Sequence, residues 1–163
     1  MAEPDLTGMR LLAAWRRHND ILVYLVEELP AKGFTAVPFF SRGRDVARQL
    51  AHLIRVRTGW LVYHRTGKRP PRGRASVRRP SRVQIRAGLR TSGAAVESFV
   101  RECLEGKSRP RLFGRDVVRW LAYLISHEAQ HRGQILLALK QRDLRLPERV
   151  SVQGIWGRWI FGR

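Results

Sequence analysis

Apolar residues recur every three or four positions in four separated stretches of the chain, and that spacing predicts four amphipathic helices. The first stretch covers 6–29, with Leu12, Trp15, Leu22, Leu25 and Leu29 near one face, and Pro30 and Gly33 end it. The second covers 43–64 on Val46, Leu50, Leu53, Val56, Trp60 and Tyr63, with Ser41 as a cap. The third covers 81–104 on Val83, Ile85, Leu89, Val96, Phe99, Val100 and Cys103, with Gly88 and Gly93 lowering its intrinsic propensity. The fourth covers 114–142 on Val117, Trp120, Leu121, Leu124, Ile125, Ile135 and Leu139. No stretch sustains a period of two. Residues 150–155 would suit a short strand, but a lone strand has no sheet to join. The dense aromatics of the tail, Trp156, Trp159 and Phe161, are expected to pack against something. The fold class expected is all-α, a four-helix bundle, in one domain over 1–163.

The connector between the second and third helices changes the picture. Residues 65–82 hold eight basic residues, three prolines, two glycines and no acid. Such a link is long enough to span a bundle and permits an up-up-down-down topology. The whole window 46–96 carries 13 Arg or Lys and no carboxylate. Over the chain, 32 basic residues face 13 acidic ones, for a net charge of +19, and only four of the 32 are Lys. That charge suits nucleic acid, an acidic membrane surface or small anions, and selects none of them. Non-specific polyanion binding through 65–82 follows from it. No recognition-helix, zinc-finger or RNA-binding motif accompanies it. No apolar run is long enough for a membrane span, and the first residues lack a leader's pattern. The lone Cys103 forms no intrachain disulfide, so a reducing, cytoplasmic setting is expected.

Candidate chemistry lies in the histidines. His127 and His131 stand i,i+4 on the apolar stripe of the fourth helix. Two neutral imidazoles one turn apart in a core each need a partner, and a shared metal ion serves both. The alternatives are an ordinary buried pair or an exposed seam. His52, in the row Gln49, His52, Val56, Trp60, can join them if the second helix lies beside the fourth. Three imidazoles make a nitrogen site for Zn, Ni, Co or Fe that keeps a position open for substrate. His18, on the first helix, is a minor ligand candidate. His64 is expected at a solvated helix end. Glu128, Gln49 and Arg132 are the nearest candidates for acid-base or supporting roles. Glu128 is otherwise a solvated residue paired with Arg132, and Arg132 is expected on the outside. Gly133 is expected to let another helix approach.

His127-Glu128-Ala129-Gln130-His131 also spells the H-E-x-x-H string of zinc proteases. The further ligands of those enzymes are missing. Gln134 and Leu137 stand where one extension needs Gly and His, and Glu148 follows Pro147 on a short tail.

The run from Arg44 to Ile54, Arg-Asp-Val-Ala-Arg-Gln-Leu-Ala-His-Leu-Ile, followed by Gly59-Trp60-Leu61, resembles the helix-two signature of the DinB family. His127 to Ile135, His-Glu-Ala-Gln-His-Arg-Gly-Gln-Ile, resembles its helix-four signature, and Leu146-Pro147 and Trp156 its C-terminal end. The resemblance implies a DinB/YfiT-like four-helix bundle that binds nickel or zinc through His52, His127 and His131. It also implies low-molecular-weight thiol chemistry, as in bacillithiol S-transferases and mycothiol-dependent maleylpyruvate isomerase, and homodimers in many members. The expected function is thiol transfer to an electrophilic small molecule. A metal-dependent hydrolase, or a non-enzymatic polyanion- or nucleic-acid-binding protein, is the alternative.

Overall fold

A computed structural model describes residues 6–40, 43–70 and 79–162. Every regular element among the described residues is helical, with no strand. The long helices are α1 (Leu6–Glu28), α2 (Val46–Thr66), α3 (Arg82–Leu104) and α4 (Val117–Gln141), and a short α5 (Gly157–Phe161) follows a π-helical segment at Arg149–Trp156. The starts of α2, α3 and α4 are chemically marked. Asp45 caps α2, accepting from the Arg48 backbone N–H at 2.8 Å. Ser81 and Gln84 close a reciprocal capping box on α3, and Asp116 caps α4. The expected cap Ser41 lies outside the described residues, and the Asp45 cap begins α2 three residues later than the periodicity suggested.

Side-chain ties fix the helix directions. Arg16 meets Glu97 and Arg90 meets Glu27, so α1 and α3 run antiparallel. Arg57 donates to the Leu89 carbonyl and Arg65 pairs with Glu102, so α2 and α3 run parallel. His52 faces His127 and His131 while Trp60 faces Tyr123, so α4 runs antiparallel to α2. The order is therefore up-down-down-up rather than up-up-down-down. The chain must return the length of α2 before α3 begins. Arg79, near the start of α3, accordingly pairs with Asp45 at the start of α2, 2.9 Å away. Of the basic connector at 65–82, residues 71–78 lie outside the described residues.

Two apolar clusters fill the interior. One joins Ile21, Leu25, Leu50, Leu53, Leu89, Ile135 and Leu139, with Leu146, Val150 and Ile155 closing it. The other joins Trp15, Leu61, Phe99, Trp120 and Leu124. Trp15, Trp120, Leu124 and Ile135 are buried as their periodicity requires, whereas Trp60 is only half-buried. Between the clusters lies a polar layer. Arg57 and Glu128 are fully buried and doubly bonded, at 2.6 and 2.7 Å, and His18 Nε2 meets Glu128 Oε2 at 2.7 Å. The other Arg57 nitrogen donates to Asn19 Oδ1, the Leu89 carbonyl and Ser92 Oγ. All four long helices contribute to this layer.

Several expectations are corrected. Residues 150–155 form a π turn rather than a strand, because Val150 and Ile155 both dip into the core from one helical face. The tail is only partly packed: Trp156 is 54 % exposed and Phe161 70 %. Nothing lies within 4 Å of a Cβ added at Gly133; the helices approach closely instead at Gly88 and Gly93 of α3, where an added Cβ would come within 2.7 Å of Ile54 and 2.6 Å of Asn19. His64 is buried, not solvated. It lies between the stacked rings of Trp60 and Phe99, and its Nδ1 accepts from the Arg111 backbone N–H at 3.2 Å.

Candidate metal centre

The antiparallel crossing of α2 and α4 brings His52 onto His127 and His131. Their ring centroids are 5.4 and 5.1 Å from His52 and 4.8 Å from each other. One ligand atom from each of the three lies within 4.8 Å of the others, all on half-buried residues. The alignment follows from the flanking residues. Glu128, the residue after His127 on α4, joins the core positions Leu124 and Ile135 on the buried face, and the buried Arg57–Glu128 pair holds α2 and α4 in register.

The electrostatics suit a cation ligand set. Burial, with Arg44, the neighbouring histidines and Arg55 adding to it, pushes His52 down to about 4. Burial, His127 and Arg44 lower His131 as well, against a small opposing pull from Glu128. Both rings are therefore neutral near pH 7 and keep a lone pair. Gln49 decides which nitrogen of His131 holds it. The Gln49 amide N–H₂ donates to the Arg44 carbonyl at 3.2 Å, which turns Oε1 toward His131 Nδ1, also at 3.2 Å. An amide oxygen only accepts, so His131 carries its proton on Nδ1 and presents a bare Nε2. His127 Nδ1 is buried and has no hydrogen-bond partner. A cluster of three imidazoles with an unused buried nitrogen fits a divalent ion of the borderline-soft kind. Tyr123 stacks on His127 at 5.8 Å and forms the wall beside it.

The other candidates are placed differently. Gln49 is buried in the orienting role just described. Glu128, expected to face the ion or solvent, is buried on the far side of its helix turn. Burial alone would raise its pKa, but the Arg57 hydrogen bonds and charge, with His18, hold it at about 2. Both carboxylate oxygens are engaged, so the protease-like reading of the H-E-x-x-H string loses its base. Arg132 is buried too, not outside. Its guanidinium lies 5.8 Å from the Trp156 ring centre and one of its nitrogens has no partner. His18 serves Glu128 and is no ligand. Burial lowers its pKa more than Glu128 raises it, so it is neutral and donates from Nε2. Sequence reasoning missed Arg57, which reads like any other arginine in a basic helix. Its signal was its place in the row Leu50, Leu53, Arg57, Leu61, a charge on an otherwise buried face.

Among the described residues no helix is long and apolar enough to cross a membrane. No curated protein matches the chain. The family model described as the DinB superfamily matches residues 14–135, a span that starts in α1, ends in α4 and contains all three histidines. With most of its length matched by that model, this chain belongs to the DinB superfamily.

Proposed function

We propose that the chain is a divalent-metal-dependent enzyme, a one-domain four-helix bundle that transfers a low-molecular-weight thiol to an electrophilic small molecule. His52, His127 and His131 would hold the ion, zinc or nickel. The observation that carries this reading is the convergence of three imidazoles, with ligand atoms within 4.8 Å of one another. Bound there, a divalent cation lowers the pKa of a thiol or water that reaches it. Gln49 fixes the His131 ring, and Tyr123 stacks against the His127 ring. The protein offers no thiol of its own for the task. Burial pushes the Cys103 thiol up to about 11, and it sits on α3 against the second apolar cluster. The reacting thiol then comes from a small molecule. The exposed apolar tail face of Val152, Trp156, Ile160 and Phe161 supports a homodimer.

The test begins with metal analysis of protein purified without a histidine tag. A panel of small thiols with a generic electrophile follows, using metal-loaded protein, metal-free protein and His131→Ala. Thiol consumption is expected from the loaded wild type alone. Ester cleavage without thiol consumption would replace transfer with hydrolysis. No metal, with salt-sensitive binding to duplex DNA over a defined site size, would favour the polyanion-binding alternative.

A further inference from the structure

We propose that the groove between α2 and α4, one helical turn from the histidine cluster, is a binding site for a small aromatic carboxylate. It has a volume of about 410 Å³, within the ~300–1,000 Å³ of small-molecule sites. Its walls are one helical turn from the histidines on both sides. Val56 follows His52 by four residues on α2, and Tyr123 precedes His127 by four on α4. Beyond them Trp60 and Leu112 continue the apolar lining.

The lining is aromatic and edge-on, which suits a flat ring. Trp60 meets Tyr123 at 5.9 Å and 87°, and Phe113 behind them at 5.0 Å and 70°. Trp60 is half-buried, unlike the core tryptophans Trp15 and Trp120, and the groove is what exposes it. The turn carrying Leu112 and Phe113 onto this wall is wound left-handed. Phe113, Gly114 and Arg115 have φ of 59°, 65° and 62°, and only the middle one is glycine. Two non-glycine residues in that region cost stability, and such strain persists where the surroundings hold it in place.

Charge selects the second half of the ligand. Arg55 and Arg69 flank the groove, and neither forms an ion pair among the described residues. Most other arginines of α2 and α3 do: Arg57 with Glu128, Arg65 with Glu102, Arg86 and Arg90 with Glu27, Arg101 with Glu97. No residue from 46 to 96 is a carboxylate, so the walls from α2 cannot neutralise the pair internally. Guanidinium groups at the rim of an apolar slot fit a planar carboxylate, which they bind in a two-pronged fashion. The role of the bound acid, as the partner delivered to the metal centre, rests on the enzyme reading above; its binding does not.

The experiment is calorimetric titration of the full chain with 2-naphthoate, 2-naphthamide and acetate, in metal-free and metal-loaded protein. The expected result is that 2-naphthoate binds both forms at least about tenfold more tightly than either comparison molecule. In Arg55→Gln/Arg69→Gln, a variant altered only at exposed positions, 2-naphthoate binding falls to the level of the amide while far-ultraviolet circular dichroism is unchanged. Equal affinity for acetate and 2-naphthoate would reduce the effect to the attraction of a +19 chain for any anion and overturn the proposal. Equal affinity for naphthoate and amide, or wild-type binding by the double variant, would overturn it as well. Protein that takes up no metal yet binds 2-naphthoate through the two arginines sustains this site while refuting the metal reading. Metal-loaded protein that ignores 2-naphthoate does the reverse.

Discussion

Gln49 and Arg57 stand eight residues apart on α2 and do opposite kinds of work. Gln49 fixes a proton on one side of His131, so Gln49→Leu is expected to weaken metal binding by about 10–100-fold without altering the fold. Chelator competition measures this, with His18→Ala as the comparison that loses stability and keeps the metal. Arg57 neutralises a carboxylate that has no other cation bonded to it. Arg57→Met is expected to cost about 3–5 kcal/mol in urea unfolding, and adding Glu128→Gln should recover part of that loss. Protonation follows from the same burial. His18, His52, His64 and His131 all have pKa values below 6.5 in the folded chain, His52 and His64 about 4. Unfolded, they take up protons near 6.5, so unfolding binds protons between those values. Stability is therefore full above pH 6.5 and is lost as pH falls toward 4. The melting temperature of metal-free protein is expected to drop between pH 7 and pH 5. The convergence of His52, His127 and His131 was legible because helical spacing displays them in rows. The Arg57–Glu128 pairing was not: the row of Arg57 on α2 marks a charge on a buried face, but a partner 71 residues away leaves no local trace, and the polar face of α4 was as good a place for a glutamate.

Among the elements, α3 shows how a propensity defect becomes a packing requirement. Gly93 costs helix stability in isolation, yet its carbonyl accepts from Trp15 Nε1 at 2.9 Å and its bare Cα admits Asn19. Asn19 cannot retreat freely, because its Oδ1 accepts from Arg57 at 2.7 Å. Gly93→Ala is expected to destabilise by about 1–3 kcal/mol despite the better helix propensity of Ala, as read by thermal unfolding. The helices themselves were legible to within a few residues, since apolar stripes of 20 or more residues leave little choice of period. Their ends depended on caps, and the periodic signal ran on past Asp45 and Asp116, where side chains and not hydrophobicity decide the start. The π segment was illegible for a different reason. Val150, Val152 and Ile155 are β-branched, which favours strands locally, and only burial of Val150 and Ile155 in the core beside α1 overrides that preference.

At the scale of the molecule, the down-down course of α2 and α3 has a consequence for how the chain reaches its fold. Helical proteins fold fast when consecutive helices close into hairpins, because their contacts are short-range in sequence. Here α1 packs chiefly on α3, and α2 on α3 and α4, while α1 and α2 scarcely touch. The ties that fix the arrangement span 81 residues from Arg16 to Glu97 and 110 from His18 to Glu128. The first half of the chain thus has no self-sufficient folding unit: α1 and α2 must wait for partners made later. A fragment ending at residue 66 is expected to show little helical ellipticity. The full chain is expected to refold in a single kinetic phase reported alike by tryptophan fluorescence and circular dichroism, and more slowly than hairpin-built helical domains of its length.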